Sequence, residues 1–154
     1  MNIKAMKAKI LILFVIAVIT NSCNKGKYTD KPQLFFKSVN TTVLNPNQVL
    51  TFNIEFTDAQ GDVQDTLWVQ KVTKNCSKSD FVSGYRIPAF PQSKNLKGVF
   101  EVSLGYGFNL GYPSMQEPAC NNQNDTCVFK FWAKDLAGNK SDTLSGPTII
   151  IVHR

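Results

Sequence analysis

Apolar and polar residues alternate along several short stretches of the chain, and this alternation predicts β-strands. The clearest example is VLTFNIEFT, Val49 to Thr57, in which apolar residues occupy every second position from Leu50 to Phe56. A strand of this kind buries one face and leaves the other in solvent. The same pattern predicts five further strands: Pro32 to Val39, Thr66 to Thr73, Gly98 to Leu104, Cys127 to Lys134 and Thr148 to Val152.

The connections between these stretches carry turn residues, and no helical periodicity follows residue 23. Asp58-Ala59-Gln60-Gly61-Asp62 and Asp135-Leu136-Ala137-Gly138-Asn139 are rich in the residues that favour tight turns. Short strands without crossover helices favour two packed antiparallel sheets. Segments 74 to 97 and 105 to 126 are long for hairpin loops, so we expect a further strand in each. The predicted fold class is an all-β antiparallel sandwich.

The N-terminus has the pattern of an export signal. MNIKAMKAK is basic, the apolar run Ile10 to Ile19 follows, and the polar stretch Thr20-Asn21-Ser22 precedes Cys23. The apolar run is too short for a transmembrane helix, which needs about 20 residues. We therefore predict a lipoprotein signal peptide over residues 1–22, with Cys23 as the lipid-bearing N-terminus. Cleavage at another position, which would leave Cys23 an ordinary thiol, is the alternative.

Removal of the signal changes the charge of the protein. The segment takes three of the 17 basic residues, which leaves 14 against 11 acidic ones and a net charge of +3 instead of +6. No cluster of Lys or Arg remains that would neutralise several phosphates together, so we expect no nucleic-acid partner. The mature length of 132 residues fits one domain. We assign residues 23–31 to a lipidated tether and residues 32–154 to the sandwich.

Two segments resemble the repeated pattern of bacterial immunoglobulin-like and fibronectin-like domains. They are FTDAQGDVQDTLWV, residues 56 to 69, and FKFWAKDLAGNKSDTLSGPTIIIV, residues 129 to 152, in which a D-x-A-G-N turn joins the last two strands. Together with the lipobox-like Ser22-Cys23, the chain is similar to small lipoproteins of Bacteroidota. The resemblance implies an immunoglobulin-like sandwich in the cell envelope and says almost nothing about activity.

Three cysteines remain if Cys23 is lipidated, and disulfides form outside the cytoplasm. Cys120 and Cys127 enclose the short polar loop NNQNDT, so we favour a disulfide between them. Pairing of Cys76 with either one is the alternative. A zinc site built from the three cysteines and His153 is a further, weaker alternative, because the spacing Cys-x6-Cys is unusual for zinc ligands.

The two acidic turns are a candidate metal site. In an immunoglobulin-like sandwich they would emerge at the same end, and converging carboxylate and carbonyl oxygens suit Ca²⁺. Simple Asx-turns without a metal are the alternative. No cofactor is required by the sequence, and calcium is a candidate. The candidate ligands are Asp58, Asp62, Asp65, Asp135 and Asn139.

Aromatic residues supply a second candidate site. In Cys127 to Lys134 the face holding Phe129 and Phe131 is the apolar one, which places Trp132 on the outside. If Trp68 lies on a neighbouring strand, the two rings would form an exposed platform for a sugar or a protein. The alternative is that Trp68 packs inside, as a tryptophan of the third strand often does. The candidate ligand-binding residues are Trp68, Trp132, Tyr106, Phe108 and Tyr112.

The sequence offers little for catalysis. His153 is the single histidine and the penultimate residue, so a nucleophile paired with a histidine base is not expected. A metal-assisted hydrolase would need at least three carboxylates converging in a pocket. Asp65-Thr66-Leu67 and Asp142-Thr143-Leu144 are similar to the O-glycosylation motif of Bacteroidota, which makes Thr66 and Thr143 candidate glycosylation sites.

These observations favour a non-enzymatic, membrane-anchored interaction module whose partner is an envelope protein or a glycan. A carbohydrate-binding accessory lipoprotein of a nutrient-uptake system and a calcium-dependent adhesion module are the alternatives. The residues after Cys23, NKGK, lack the acidic run associated with surface export in these bacteria. We therefore expect an outer-membrane lipoprotein, with the periplasmic face favoured over the cell surface.

Overall fold

The computed structural model describes residues 28–76, 78–107, 110–120 and 122–154. Within these ranges the chain consists of β-strands joined by turns and loops, and the all-β prediction is confirmed. The strands are β1 (Gln33–Val39), β2 (Val43–Leu44), β3 (Gln48–Asp58), β4 (Thr66–Thr73), β5 (Phe81–Arg86), β6 (Leu96–Tyr106), β7 (Ser114–Met115), β8 (Asp125–Lys134) and β9 (Leu144–Ile151).

The strands form two sheets. One has the order β1-β3-β6-β7 and the other the order β2-β9-β8-β4-β5. β5 and β7 are the additional strands expected within the two long connections. The prediction of purely antiparallel sheets is wrong, because β2 runs parallel to β9 and β7 runs parallel to β6. Both exceptions are two-residue strands: β2 follows β1 of the other sheet and lies beside β9, whereas β7 follows β6 and lies beside it in the same sheet.

The core lies between the sheets and is formed by the apolar positions that alternate along the long strands. Phe52 of β3 packs against Phe129 and Phe131 of β8, with ring centroids 5.1 Å apart in both pairs. All three rings are fully buried. Burial of a phenylalanine side chain contributes roughly 1.5–3 kcal/mol, so this contact between β3 and β8 stabilises the packing of one sheet on the other.

The turns β3–β4 and β8–β9 lie at the same end of the sandwich, here called the acidic pole and defined by residues 58–65 and 135–143. The backbone amide of Leu136 donates to the carbonyl oxygen of Asp62 over 2.9 Å and joins the two turns. Gly61 has φ +73°, and a Cβ atom there would lie 2.0 Å from the carbonyl oxygen of Ser93. Only glycine fits this position, because both the backbone conformation and the neighbouring chain exclude a side chain.

The segment before β1 also contacts the acidic pole. The carbonyl oxygen of Thr29 accepts a hydrogen bond from Ala59 over 3.0 Å. Lys31 pairs with Asp142 at 2.6 Å. The final residues of the expected tether, 23–31, are therefore attached to the domain. The signal peptide and Cys23 lie outside the described residues. In the part of the chain that is described, no helix is long and apolar enough to cross a membrane.

The disulfide joins Cys76 to Cys120, and the favoured pairing of Cys120 with Cys127 is wrong. Cys127 is a free and fully buried thiol, because it occupies an inward position of β8 on the same face as Phe129 and Phe131. Cys120 lies in the loop before β8. The disulfide with Cys76 holds this loop against the end of β4. The alternation of β8 already placed Cys127 inside, and applying it to the cysteine would have excluded the short-range bridge.

Candidate functional site

Trp68 and Trp132 lie side by side on the outer face of the five-stranded sheet. They are direct cross-strand partners in the β4–β8 register. Their rings are nearly parallel, with an interplanar angle of 8° and centroids 6.0 Å apart. Both side chains are partly exposed. The structure thus brings Trp132, which the strand pattern placed outside, beside Trp68, whose position the sequence had left open, and we call this surface the tryptophan face.

The residues around the two rings give the tryptophan face its shape and charge. On β5, Gly84 is the cross-strand partner of Trp68, and an added Cβ atom would lie 3.2 Å from the indole ring. The glycine therefore leaves room for the ring to lie over the edge strand. The ammonium group of Lys140 lies 4.7 Å from the centroid of Trp132, a distance suited to a cation–π contact. Lys130 and Lys134 are outward neighbours of Trp132 along β8.

Tyr106 and Tyr112, the other predicted aromatic residues within the described ranges, do not join this surface. Tyr106 is 1% exposed, and its hydroxyl group donates to the carbonyl oxygen of Val152 over 2.9 Å, so the expectation of a binding role for it is wrong. Tyr106 belongs to the core because it is the last residue of β6 and its side chain faces the interior. Tyr112 is 49% exposed and lines a cavity of about 460 Å³ beside β5 and β6. Phe108 lies outside the described residues.

The acidic pole brings three of the five predicted metal ligands together. One carboxylate oxygen each from Asp58, Asp62 and Asp135 lies within 4.8 Å of the others. Asp58 is fully buried and Asp135 is 1% exposed. Oδ2 of Asp58 and Oδ1 of Asp62 are buried and accept no hydrogen bond from the described residues. We call these three residues the carboxylate cluster.

The remaining two predicted ligands have other roles. Asn139 positions Asp135: its backbone amide donates to Oδ1 over 2.6 Å and its side-chain amide donates to Oδ2 over 2.9 Å. The same side-chain nitrogen also donates to the carbonyl oxygen of Asp30. Asp65 accepts a hydrogen bond from Thr66 and pairs with Lys134 at 3.8 Å. Asn139 therefore supports the carboxylate cluster, whereas Asp65 faces the lysines of β8.

Burial is the main influence on the ionisation of Asp58. It raises the pKa of this carboxyl above its usual value, because the charged form loses its hydration. Backbone amides of Gln60 and Gly61 act in the opposite direction, and the neighbouring Asp62 and Asp135 raise the pKa further. The fold thus holds three carboxylates close together, two of them buried, which is costly unless a proton or a cation compensates their charge.

A second buried charge lies at the other end of β4 and β8, and the sequence patterns did not identify it. Lys71 is inward-facing on β4 and forms an ion pair with Asp125, the first residue of β8. Its ammonium group also donates to the carbonyl oxygen of Ser79 over 3.1 Å. Lys71 follows Leu67 and Val69 at the same two-residue spacing, so the strand period alone would have placed it inside.

The remaining candidates are the cysteines proposed for zinc and the two threonines proposed for glycosylation. Burial raises the pKa of the Cys127 thiol to about 12, and Cys76 and Cys120 are joined to each other, so the cysteines are not arranged for zinc. Thr143 is exposed in the β8–β9 turn, and Thr66 is partly exposed at the start of β4. Both remain candidate glycosylation sites.

Comparison with known proteins identifies no family. No protein-family model matches the sequence, and no curated protein sequence matches it. Among solved structures, the chain is similar to the sporulation control protein Spo0M of Bacillus subtilis, with 9% identity and a TM-score of 0.43 over 82% of this chain and 51% of that one. The chain therefore spans about half of the Spo0M chain. A Niemann-Pick type C2 protein from the Japanese carpenter ant gives 8% identity and a TM-score of 0.42 over 81% and 96%.

Proposed function

We propose that this chain is a lipid-anchored, non-enzymatic interaction module of the cell envelope and that it binds a glycan on the tryptophan face. The observation that carries the proposal is the parallel, partly exposed pair of Trp68 and Trp132. Sugar rings present C–H groups that pack on indole faces, and adjacent parallel rings offer a continuous apolar strip. Because the two residues lie on central strands of a sheet, the strip is rigid before a ligand arrives.

The charges around the tryptophan face favour an acidic glycan. Lys130, Lys134 and Arg86 lie on the same outer face, and Lys140 already contacts the ring of Trp132. A uronate or sulfate group stacked with its sugar over Trp132 would meet the ammonium group of Lys140. Such charge-assisted hydrogen bonds are stronger than neutral ones, so acidic sugars should bind more tightly than neutral sugars.

The immunoglobulin-like connectivity expected from the turn motifs is part of this proposal. The sheet orders β1-β3-β6-β7 and β2-β9-β8-β4-β5 support it, because apart from β7 they correspond to the A-B-E and A′-G-F-C-C′ orders of immunoglobulin-like domains. In that assignment the tryptophans lie on strands C and F, facing outward. The alternative partner is an envelope protein that covers the same surface.

Anchoring through Cys23 is supported by the sequence alone. The basic start, the apolar run Ile10 to Ile19 and the Ser22-Cys23 junction fit a lipoprotein signal. A Cys23→Ser variant expressed in a bacterial host should fail to incorporate labelled palmitate and should leave the membrane fraction. Equal labelling of the variant and the wild type would contradict lipidation at Cys23.

The glycan proposal is tested on an array of neutral and acidic glycans with the wild type, Trp132→Ala and Trp68→Ala. Both variants should lose binding, and Lys140→Ala should lose the preference for acidic sugars. Phe35→Ala is the matched control, because Phe35 is 43% exposed on the other sheet. Identical binding profiles for the wild type and both tryptophan variants would overturn the proposal.

A further inference from the structure

The carboxylate cluster at the acidic pole shares no residue with the tryptophan face and is not needed for stacking. Its members come from both turns: Asp58 and Asp62 from the end of β3 and the turn that follows, and Asp135 from the residue after β8. Two of them are almost completely buried. Burying a charged group costs several kcal/mol unless an opposite charge or hydrogen bonds compensate it, so this arrangement requires a compensating positive charge.

Described residues donate hydrogen bonds to the cluster, but the described lysines form their ion pairs with other acidic residues. Asp58 accepts from the amide of Gln60 over 3.0 Å, and Asp135 accepts twice from Asn139. The described lysine ion pairs go to other acids, namely Asp65, Asp125, Asp142 and Glu55. Oδ2 of the fully buried Asp58 accepts no hydrogen bond from the described residues, and neither does Oδ1 of Asp62.

We infer that Asp58, Asp62 and Asp135 bind a calcium ion that joins the β3–β4 turn to the β8–β9 turn. The spacing permits it: Ca²⁺ lies about 2.3–2.6 Å from its oxygen ligands, so ligands on opposite sides of one ion are at most about 5 Å apart. The three carboxylate oxygens lie within 4.8 Å of one another. The buried oxygens that accept no hydrogen bond are then metal ligands rather than a defect of the fold.

Calcium fits this oxygen set better than magnesium or a transition metal. The ligands are all carboxylates from turns, without a thiol or an imidazole. Such hard oxygen donors suit Ca²⁺ and Mg²⁺, and Mg²⁺ requires nearly ideal octahedral geometry and retains several waters. Carboxylates from two separate turns suit the flexible coordination of Ca²⁺ better than the strict octahedral geometry of Mg²⁺, and carbonyl oxygens or water complete the 6–8 ligands of Ca²⁺.

Asn139 is a positioning residue for this ion. Its two hydrogen bonds orient Asp135, and its side chain also bonds the carbonyl oxygen of Asp30 in the segment before β1. The ion is thus connected through one side chain to the segment that leads back towards the N-terminus. Binding should therefore stiffen both turns and the attachment of that segment to the domain.

The test uses the full chain purified in detergent, stripped with EDTA and dialysed into metal-free buffer. Titration with calcium chloride should show one ion bound per chain, with a dissociation constant on the order of 10⁻⁴–10⁻³ M, as in extracellular calcium modules. At about 10 mM calcium, roughly 10 to 100 times that dissociation constant, the melting temperature should rise by about 5–10 °C over its value in EDTA. Magnesium chloride at the same ionic strength should give a smaller rise.

Asp58→Asn and Asp62→Asn separate a metal site from a structural cluster. Each should melt above the wild type in EDTA, because one of three crowded charges is removed, and below it in calcium, because a ligand is lost. Asp142→Asn is the control: it is the same substitution at the same pole, but its side chain is 93% exposed, so it should respond to calcium as the wild type does.

The inference is overturned if the wild type melts at the same temperature in calcium and in EDTA and binds no calcium in the titration. It is also overturned if both cluster variants respond to calcium as strongly as Asp142→Asn does. A response to magnesium alone would contradict the assignment of calcium. Glycan binding is measured separately on the tryptophan face, so either proposal can fail while the other stands.

Discussion

Buried carboxylates occur at both ends of β8, and their surroundings differ. Asp125, the first residue of the strand, pairs with the inward-facing Lys71. Asp135, directly after the last residue, lies with Asp58 and Asp62 instead of a lysine. The charge of Asp125 is compensated by Lys71 of the same chain, so its burial requires no ligand. The charge of Asp135 is not compensated by a described lysine, and this difference is why we assign a ligand to the acidic pole.

The strongest test of the compensated end removes the lysine alone. Lys71→Met leaves Asp125 buried without its cation, and the free energy of unfolding should fall by about 3–5 kcal/mol. Urea denaturation measures this loss. Lys71→Met combined with Asp125→Leu should recover much of it, because both charges are then gone. Lys74→Met, at an exposed lysine, should change stability by less than about 0.5 kcal/mol.

The disulfide beside that end should have the next largest effect. Cys76 and Cys120 are 44 residues apart in sequence, and replacing both with serine should lower stability by about 2–4 kcal/mol, because the unfolded chain regains the entropy of an open loop. Peptide mapping without reduction should recover the Cys76–Cys120 pair. Recovery of a Cys120–Cys127 pair would contradict the structure, as would labelling of Cys76 by a thiol reagent in the unfolded, unreduced protein.

The geometry of the acidic pole can be tested through its glycines. Gly61→Ala should lower stability by about 1–3 kcal/mol, because alanine disfavours φ +73° and its Cβ would meet Ser93. Gly138→Ala is the matched comparison: φ is +92° there, but nothing lies within 4 Å of the added atom. It should therefore cost less than Gly61→Ala. Equal losses in thermal unfolding would show that Ser93 does not pack against the turn.

The smallest expected effect is the pH dependence of the carboxylate cluster in EDTA. Because burial raises the pKa of Asp58 in the folded state, the folded protein binds its proton more tightly, and this contribution to stability is lost as pH rises through the folded pKa. Asp58→Asn lacks this term. Its melting temperature should therefore gain on that of the wild type between about pH 4 and pH 7.

Glu55 also contributes to the pH dependence of stability, because its pKa is lowered chiefly by its hydrogen bond with Lys97. The stabilisation from that pair is lost as pH falls, whereas the contribution of Asp58 is lost as pH rises. The wild type and Asp58→Asn both contain the Glu55 pair, so its effect cancels when their melting temperatures are subtracted. A constant gap between Asp58→Asn and the wild type across this pH range would contradict the electrostatic account of Asp58.

Much of the fold could be predicted because strand period and turn chemistry are local. Thr66–Thr73 was predicted with its observed bounds, and β3 and β8 within two residues at each end. The outward placement of Trp132 followed from the same period. The errors concern contacts between distant residues. The Cys120–Cys127 bridge was inferred from proximity in sequence, and Tyr106 was taken for a loop residue although it closes the core.

The sequence by itself determined the strands, the faces of their side chains, the acidic turns and the features of an export signal, because each depends on residues a few positions apart. Only the tertiary structure decided which of those residues meet. The pairing of β4 with β8 brought Trp68 beside Trp132, and the packing of the turns brought Asp58 and Asp62 to Asp135. It also paired Lys71 with Asp125 and left Asp65 outside the cluster. Such contacts depend on sheet register and packing between elements, which the alternation of a single strand does not specify.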